Sequence, residues 1–415
     1  MHIEFHGGAS EVGRSCIEIN GEILLDAGLK LGTQIEYPQN ISYKNIKAVF
    51  VSHAHLDHCG ALPLFVHYGL NCPIICTKET RDLIFPMLDD AYNLQKENSD
   101  YDEDDIQKIR PMIEVVEEGV KGRLHDYEFK FLHAGHIPGS SSILIEREGK
   151  KLIYTGDINT INTELMGKAE DFPEVDILIT EATYGDEDHE ERDVLEKNFI
   201  EAVTKTIGRG GSVIIPAFGL GRSQEILIIL EKLNTKVPIY LDGMARRITN
   251  ILFNQPRELR DAALLRRAFK KSIIVKDFSQ RNEIVKKQGI FITTSGMLTG
   301  GPVMSYLEHY RDDRNSTIIL TGYQSENTNG RRLMNGERVE IDNKLYEVKC
   351  ELQIFGFSAH AGKKELIELI KNVNPKLLIL NHGDLEAIQF LKQEVLKKMK
   401  NIEVMTPKIG DAIDV

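Results

Sequence analysis

The sequence has no apolar run long enough to cross a bilayer; stretches such as Ile226–Leu230 end far short of the roughly 20 residues a spanning helix needs. Cysteine is sparse. Five residues, an odd number, stand scattered at 16, 59, 72, 76 and 350, which excludes a disulfide framework and points to reduced thiols in a cytosolic protein. Cys72 and Cys76 are too far apart for a zinc-type C-x-x-C pair and read as core or loop thiols. The opening MHIEFHGGASEVG lacks the basic and apolar regions of a secretory leader. Positive charge is in deficit: 51 Lys and Arg stand against 63 Asp and Glu, a net charge of −12. A chain this acidic is a poor candidate for gripping nucleic acid with its whole surface, which leaves local basic patches as the alternative.

What is present is an ordinary globular composition, 41% hydrophobic, over 415 residues. That length calls for two domains, or one domain with a large insertion. Short β-branched runs alternate with amphipathic segments. Strands are expected at Ile23–Leu25, Ala48–Val51, Phe129–Leu132, Leu152–Tyr154, Ile177–Ile179, Val213–Ile215, Ile290–Thr293 and Leu377–Leu380. Helical spacing appears over Glu79–Gln95, Asp193–Ile207, Gln224–Leu233, Lys363–Val373 and Leu385–Met399. The alternation predicts α/β layers. Of two acidic stretches, Glu97–Asp105 and Asp186–Asp193, the second reads as a junction. Met244–Lys287 has the opposite character: twelve basic residues face four acidic ones, enough for a surface that tracks phosphates by displacing their counterions.

The strongest chemical signal is His53-Ala-His55-Leu-Asp57-His58. Three imidazoles and a carboxylate within six residues are costly to place together without a shared cation. A loop after the strand at Ala48–Val51 can aim His53 and His55 at one point and Asp57 and His58 at another. Imidazole and carboxylate without thiolate suit Zn²⁺ first, with Mn²⁺ or Fe as alternatives. Cys59 reads as a packing thiol. One short motif cannot complete two metal shells, so other ligands must come from elsewhere. Asp26, His136, Asp157, Glu181, His360 and His382 each stand just past an apolar run, where strand ends gather site residues at one rim of a sheet. Glycines flank most of them and let the backbone approach closely.

These motifs resemble those of the metallo-β-lactamase superfamily, in its β-CASP nuclease branch, over nearly the whole chain. Leu25-Asp26-Ala-Gly28, His53–His58, His136 and Asp157 resemble the first four motifs; Glu181, His360 and His382 resemble motifs A, B and C. Glu11-Val-Gly-Arg-Ser-Cys-Ile17 and Ser52–Pro63 look most like archaeal relatives of the pre-mRNA-cutting subunit of the cleavage and polyadenylation specificity factor, in a form expected to be without a leading KH module. The resemblance implies an αββα sandwich with an inserted α/β β-CASP domain that caps the metal cleft, divided as 1–185, 186–349 and 350–415. It further implies two Zn²⁺, or Mn²⁺: one held by His53, His55 and His136, the other by Asp57, His58 and His382. Asp157 and a hydroxide would bridge them, and Asp26 would orient the histidine loop. His360 would protonate the leaving oxygen with Glu181 fixing its tautomer, so that Asp57, Asp157, Glu181 and His360 form the catalytic set. Family loops carry Arg222, Ser295, Gly296, Tyr323, Gln324 and Arg331 as candidate RNA contacts.

Two departures qualify the match. Ala361-Gly362 stands where the family often has Ala or Thr, then Asp. Gly322-Tyr-Gln324 replaces the Gly-Ser-Gln string that helps seat a 5′-monophosphate in ribonuclease J. The implied activity is hydrolysis of RNA phosphodiesters in RNA processing or decay, endonucleolytic first and 5′→3′ exonucleolytic second, in the cytoplasm and without a membrane. The alternatives are a DNA nuclease, against which His382 argues because that branch usually has Val there, and a non-catalytic RNA-binding subunit, against which the complete ligand set argues. The tail Asn401–Val415 is expected to form an exposed strand, through which the resemblance implies a homodimer, with an RNA-processing complex as a further partner.

Overall fold

The computed structural model describes residues 1–32, 35–96 and 99–415. Glu97 and Asn98, at the start of the first acidic stretch, lie outside the described residues. The chain divides into two compact units: Met1–Asn162 with Met166–Asp188 and Ala359–Val415, and Thr163–Leu165 with His189–Ser358.

The first unit is built on two seven-stranded sheets. One runs in the order Ala412–Asp414, His2–Gly7, Cys16–Ile19, Ile23–Leu25, Ala48–Phe50, Ile74–Thr77 and Ile113–Val116. The other runs Glu403–Met405, Leu377–Asn381, Ile177–Glu181, Lys150–Tyr154, Ser141–Arg147, Tyr127–His133 and Lys121–Leu124. Side chains alternate across a strand, so Ile3, Phe5, Ile17, Ile19 and Phe50 of the first sheet meet Phe131, Ile143, Ile145, Ile177 and Ile179 of the second in one core. Each such side chain, fully buried, contributes about 1.5–3 kcal/mol relative to exposure. The second sheet is also covered on its other face, where Ile153, Leu178 and Leu378 pack with Leu366 and Ile370 of the helix Lys363–Val373 and with Ile388 and Leu391 of the helix Leu385–Lys398. Burial on both faces explains why Ile177–Glu181 and Leu377–Asn381 read as nearly unbroken apolar runs. These two strands pair in parallel and in register, with Glu181 opposite Asn381. On the first sheet, the helix Lys78–Gln95 packs against Ile74–Thr77 and Ile113–Val116. The layering is therefore αββα.

The tail forms two strands rather than one, and the last, Ala412–Asp414, is the exposed end strand of its sheet. Glu403–Met405 pairs in parallel with Leu377–Asn381, and Ala412–Asp414 pairs antiparallel with His2–Gly7. Ile402 and Val404 are buried, while Met405, Ile409, Ile413 and Val415 pack on the sandwich core. The tail's apolar side chains thus turn to the core, while Ala412–Asp414 becomes the outer edge of its sheet.

The second unit contains a six-stranded, wholly parallel sheet in the order Ile273–Ile274, Ile239–Asp242, Ile290–Thr293, Val213–Pro216, Thr317–Leu320 and Glu351–Ile354. Its last strand pairs Glu351–Ile354 with Thr317–Leu320, so the chain leaves this unit after Ser358, later than the 349/350 boundary expected from sequence. The first crossing likewise lies after Asp188 rather than Gly185. Tyr240, Phe291, Tyr306, Leu307 and Ile318 form its core. A parallel sheet gathers its loops at the carboxyl ends of its strands, which is where ligand-binding loops belong in such architectures.

Candidate metal centre and phosphate loops

The centre is assembled from strand ends of the first unit. Asp26 ends the strand Ile23–Leu25 in the left-handed region (φ 63°), and its N–H donates to the Phe50 carbonyl at 2.8 Å. A non-glycine residue there is uncommon and persists only where its surroundings over-determine it. The surroundings do so. The fully buried carboxylate of Asp26 accepts from the Ser52 N–H at 2.7 Å, the Ser52 hydroxyl at 2.8 Å and the Tyr154 hydroxyl at 2.7 Å, and it faces His58 Nδ1 at 2.7 Å. Asp26 thereby fixes both the start of the histidine loop and one imidazole on it.

His55 caps the short helix Leu56–Cys59, and its carbonyl accepts from the N–H groups of His58 and Cys59, each at 3.0 Å. One tight turn therefore throws His53 and His55 to one side and Asp57 and His58 to the other. Gly28 allows it: its position backs onto the Asp57 carbonyl, which any Cβ would overlap. On the far sheet, His382 follows Leu377–Asn381, again with positive φ (45°). Its N–H donates to the Gly8 carbonyl at 2.7 Å, and its Nε2 accepts from the Gly13 N–H at 3.2 Å.

The result is two groups of four residues, each with ligand atoms within 4.8 Å of one another: His53, His55, His136 and Asp157, and Asp57, His58, Asp157 and His382. Asp157 belongs to both. Its Oδ2 lies 3.5 Å from His53 Nε2 and 3.6 Å from His136 Nε2, while its Oδ1 lies 3.2 Å from His58 Nε2 and 3.3 Å from His382 Nδ1. Within the first group, His55 Nδ1 stands 3.2 Å from His53 Nε2 and 3.1 Å from His136 Nε2. His136 donates from Nδ1 to the Ala359 carbonyl at 2.7 Å, which leaves its Nε2 lone pair pointing into the group.

The donor set fits metal ions. Burial and the neighbouring imidazoles push His53 down, His136 well down and His55 down to about 3, so protons are a poor source of the positive charge this group needs. Burial alone would raise Asp157, but His58, His382 and His360 hold it well below the usual carboxylate range. His58 Nε2 and Asp157 Oδ1 are buried without a hydrogen-bond partner, which is costly unless a cation completes them. All seven ligand candidates named from the sequence lie in these two groups.

His360 stands beside them. Its Nδ1 is 2.9 Å from both oxygens of buried Glu181, and its Nε2 is 4.0 Å from Asp157 Oδ2. Glu181 is itself held by the Ile158 N–H at 2.7 Å. Burial opposes charge on His360, but Glu181 and Asp157 prevail and raise it to about 9.

Most of the candidate RNA contacts cluster in the second unit. Gly296 backs onto the Phe218 backbone, and Gly322 faces Arg222 and the Phe218 ring. Gln324 is buried and donates to the carbonyls of Gly296 at 3.2 Å and Gly322 at 3.1 Å, so it ties two loops together. Ser295 Oγ accepts from the Thr299 N–H at 3.1 Å. Arg331 is paired with Glu326 at 3.1 Å, and Tyr323 is half-buried in the same loop as Gln324. Sequence reading missed the supports: Tyr154 on Asp26, the Gly13 N–H on His382 and the Ala359 carbonyl on His136. Each stood inside or beside a motif, but only the folded chain shows what it touches.

Comparison with known proteins gives three family matches: the metallo-beta-lactamase superfamily over residues 14–217, the Beta-Casp domain over 223–333, and the Zn-dependent metallo-hydrolase RNA specificity domain over 345–407. A probable RNase MJ4 of Methanocaldococcus jannaschii is 39% identical, with both chains covered in full. The RNase aCSPSF2 of Saccharolobus solfataricus is 34% identical over 98% of this chain and 84% of its own. The transcription termination factor FttA of Methanocaldococcus jannaschii is 34% identical over 92% of this chain and 67% of its own. A protein of unknown function from Enterococcus faecalis V583, with 15% identity and a TM-score of 0.59 over 99% of both chains, shares the fold.

Proposed function

Because this chain belongs to the metallo-β-lactamase superfamily, in the hydrolase family that carries a Beta-Casp domain, we propose that it is a metal-dependent ribonuclease. It cuts internal phosphodiester bonds of RNA, with 5′→3′ trimming as a second mode at the same centre. The observation that carries this reading is Asp157, whose two oxygens are divided between two imidazole groups at 3.2–3.6 Å. His53, His55 and His136 would hold one cation and Asp57, His58 and His382 the other, shared through Asp157. Two divalent cations, zinc first, supply Lewis acidity toward water and toward the charge building on a phosphoryl oxygen.

The remaining work falls to the protein. Asp26 holds His58 and Ser52 still, so the histidine loop enters the reaction already in place. Glu181 accepts from His360 Nδ1, which leaves Nε2 as the atom that carries a proton to the leaving oxygen. In the second unit, Arg222 beside Gly322 would take a phosphate of the strand, as a guanidinium fork does. The relatives' RNase names and the RNA specificity domain support RNA as the substrate. A homodimer along the free edge of Ala412–Asp414, an RNA-processing complex and a cytoplasmic location fit the same reading. The termination-factor relative adds a second setting for the cut, the ending of transcription.

Incubation with a circular RNA and with linear RNAs bearing 5′-triphosphate, monophosphate or hydroxyl ends, with and without chelator, tests the proposal. Opening of the circle, abolished by chelator, is expected. An intact circle alongside monophosphate-dependent decay would leave only trimming, and no decay of any RNA would overturn the reading.

A further inference from the structure

Between the helices Met244–Leu252 and Ala262–Lys271 of the second unit lies an open groove of about 720 Å³. Arg247, Asn250, Ile251 and Asn254 line one side, and Phe269 and Ile274 line the other. Arg247, Asn250 and Ile251 are spaced by three and one residues on one face of the first helix, and Asn254 follows in the turn after it. Arg246 braces that face by donating to the carbonyls of Val275 and Lys276, each at 3.0 Å, which ties the helix to the end of the edge strand Ile273–Ile274. Phe269 is set edge-on to Phe253 at 5.1 Å, and the Arg266 guanidinium lies over Phe253 at 4.7 Å. The groove is thus built rather than accidental, and no carboxylate is among its lining residues.

Its charge is equally particular. The segment Met244–Lys287 has twelve basic and four acidic residues in a chain of net −12. Folding engages some of these cations: Arg281 pairs with Asp242 at 2.7 Å, Arg260 donates to the Thr163 carbonyl at 2.7 Å, and Lys271 pairs with Glu231 at 2.7 Å. Lys270, Lys276, Lys286 and Lys287 stay exposed, Arg247 is exposed alongside contacts of its own, and Ile273 and Phe278 are exposed too. Asn250 donates from Nδ2 to the Arg246 carbonyl at 2.9 Å, which turns its Oδ1 away from the backbone.

We infer that this groove seats a single-stranded stretch of the RNA substrate outside the metal centre. Phosphates lie on Arg247 and the flanking lysines, base faces lie on Phe269, Ile251 and Ile274, and Asn250 and Asn254 meet base edges. An acidic protein segment would be drawn by the charge alone. An apolar lining set between cations and carboxamides matches a polymer whose units combine a phosphate, a flat face and a hydrogen-bonding edge. None of the groove residues belongs to the metal groups. The inference rests on the ribonuclease reading for the identity of the polyanion.

The test uses the full chain in two assays. In the first, metal is chelated so that RNA survives, and binding of a fluorescent uridine oligomer of about 24 nucleotides is followed by anisotropy at rising KCl. Arg247→Glu with Asn254→Ala is expected to weaken binding about tenfold and to lower the slope of log affinity against log salt by about one. Lys270→Glu, on the neighbouring helix, is expected to act in the same direction. In the second, the metal-loaded variants hydrolyse bis(p-nitrophenyl) phosphate, a diester with no nucleobases or further phosphates for the groove to hold, at the wild-type rate. Unchanged RNA affinity and salt slope in both variants would overturn the groove while leaving the nuclease intact. Weakened capture of polyglutamate with unchanged RNA binding would also overturn it, in favour of a protein partner. If the wild type hydrolyses neither the diester nor RNA, the ribonuclease reading fails, and the anisotropy arm still decides the groove separately.

Discussion

The metal centre and the basic groove both bring charge together, but they do so in opposite ways. In the centre most of the charged and polar groups are buried and held by neighbours: Asp26 alone is gripped by Ser52, Tyr154 and His58. At the groove, Arg247 is exposed on a braced helix and Lys270 is exposed on the neighbouring one. A buried charge has no water to fall back on, so removing one member strands the others. An exposed cation is screened, and each contributes a small, graded share. The two regions should therefore differ in kind when perturbed, with all-or-none losses in one and additive drifts in the other.

The sharpest way to break that contrast is Asp157→Ala. It removes the carboxylate common to both ligand groups, so cleavage should fall below detection and bound metal, read by elemental analysis, should drop from two per chain toward none. Retained metal and turnover would mean that the centre behaves like a surface. His360→Ala should lower kcat by about 10²- to 10⁴-fold, the usual contribution of a positioned acid. Metal content should stay at the wild-type level, because His360 lies outside both four-residue ligand groups. Asp26→Ala should weaken metal binding by about 10- to 100-fold, as expected for a group that orients a ligand. Competition with a chelating dye would read this, with circular dichroism checking the fold. At the small end, Lys271→Ala in the basic segment breaks only its exposed pair with Glu231 at 2.7 Å. Its effect on unfolding free energy should be within about 0.5 kcal/mol.

Much of the centre was legible because of where the polar residues stand. Asp26, Asp157 and His382 each follow an apolar run; one such residue is an ordinary strand end, but several of them beside the cluster His53–His58 point to one site. The cluster His53–His58 was legible for a simpler reason: that many ligating groups cannot share one turn cheaply without a cation. The tail's strand character was legible but not its pairing, because a strand joining a sheet edge and a strand awaiting a partner have the same local pattern. Ile413 and Val415 face the sandwich core, while Ala412–Asp414 forms the outer edge of its sheet. The second unit's boundary was drawn early because Glu351–Ile354 gives no local sign of which sheet it joins. Within the candidate RNA loops, Gln324 reads as an outward contact, yet its amide is directed inward to two carbonyls.

By itself the sequence determined which residue types are available, their local periodicity and the one compact motif that demands a cation. Those properties depend on neighbours in the chain, which is why they can be read along it. Only the tertiary structure decided that Asp157 faces two groups at once, that the Gly13 N–H meets His382, and that Tyr154 crosses the sandwich to Asp26. These contacts join residues 128 and 369 positions apart. No local pattern encodes such pairings, because they arise from the register of sheets closed by burial of the whole core.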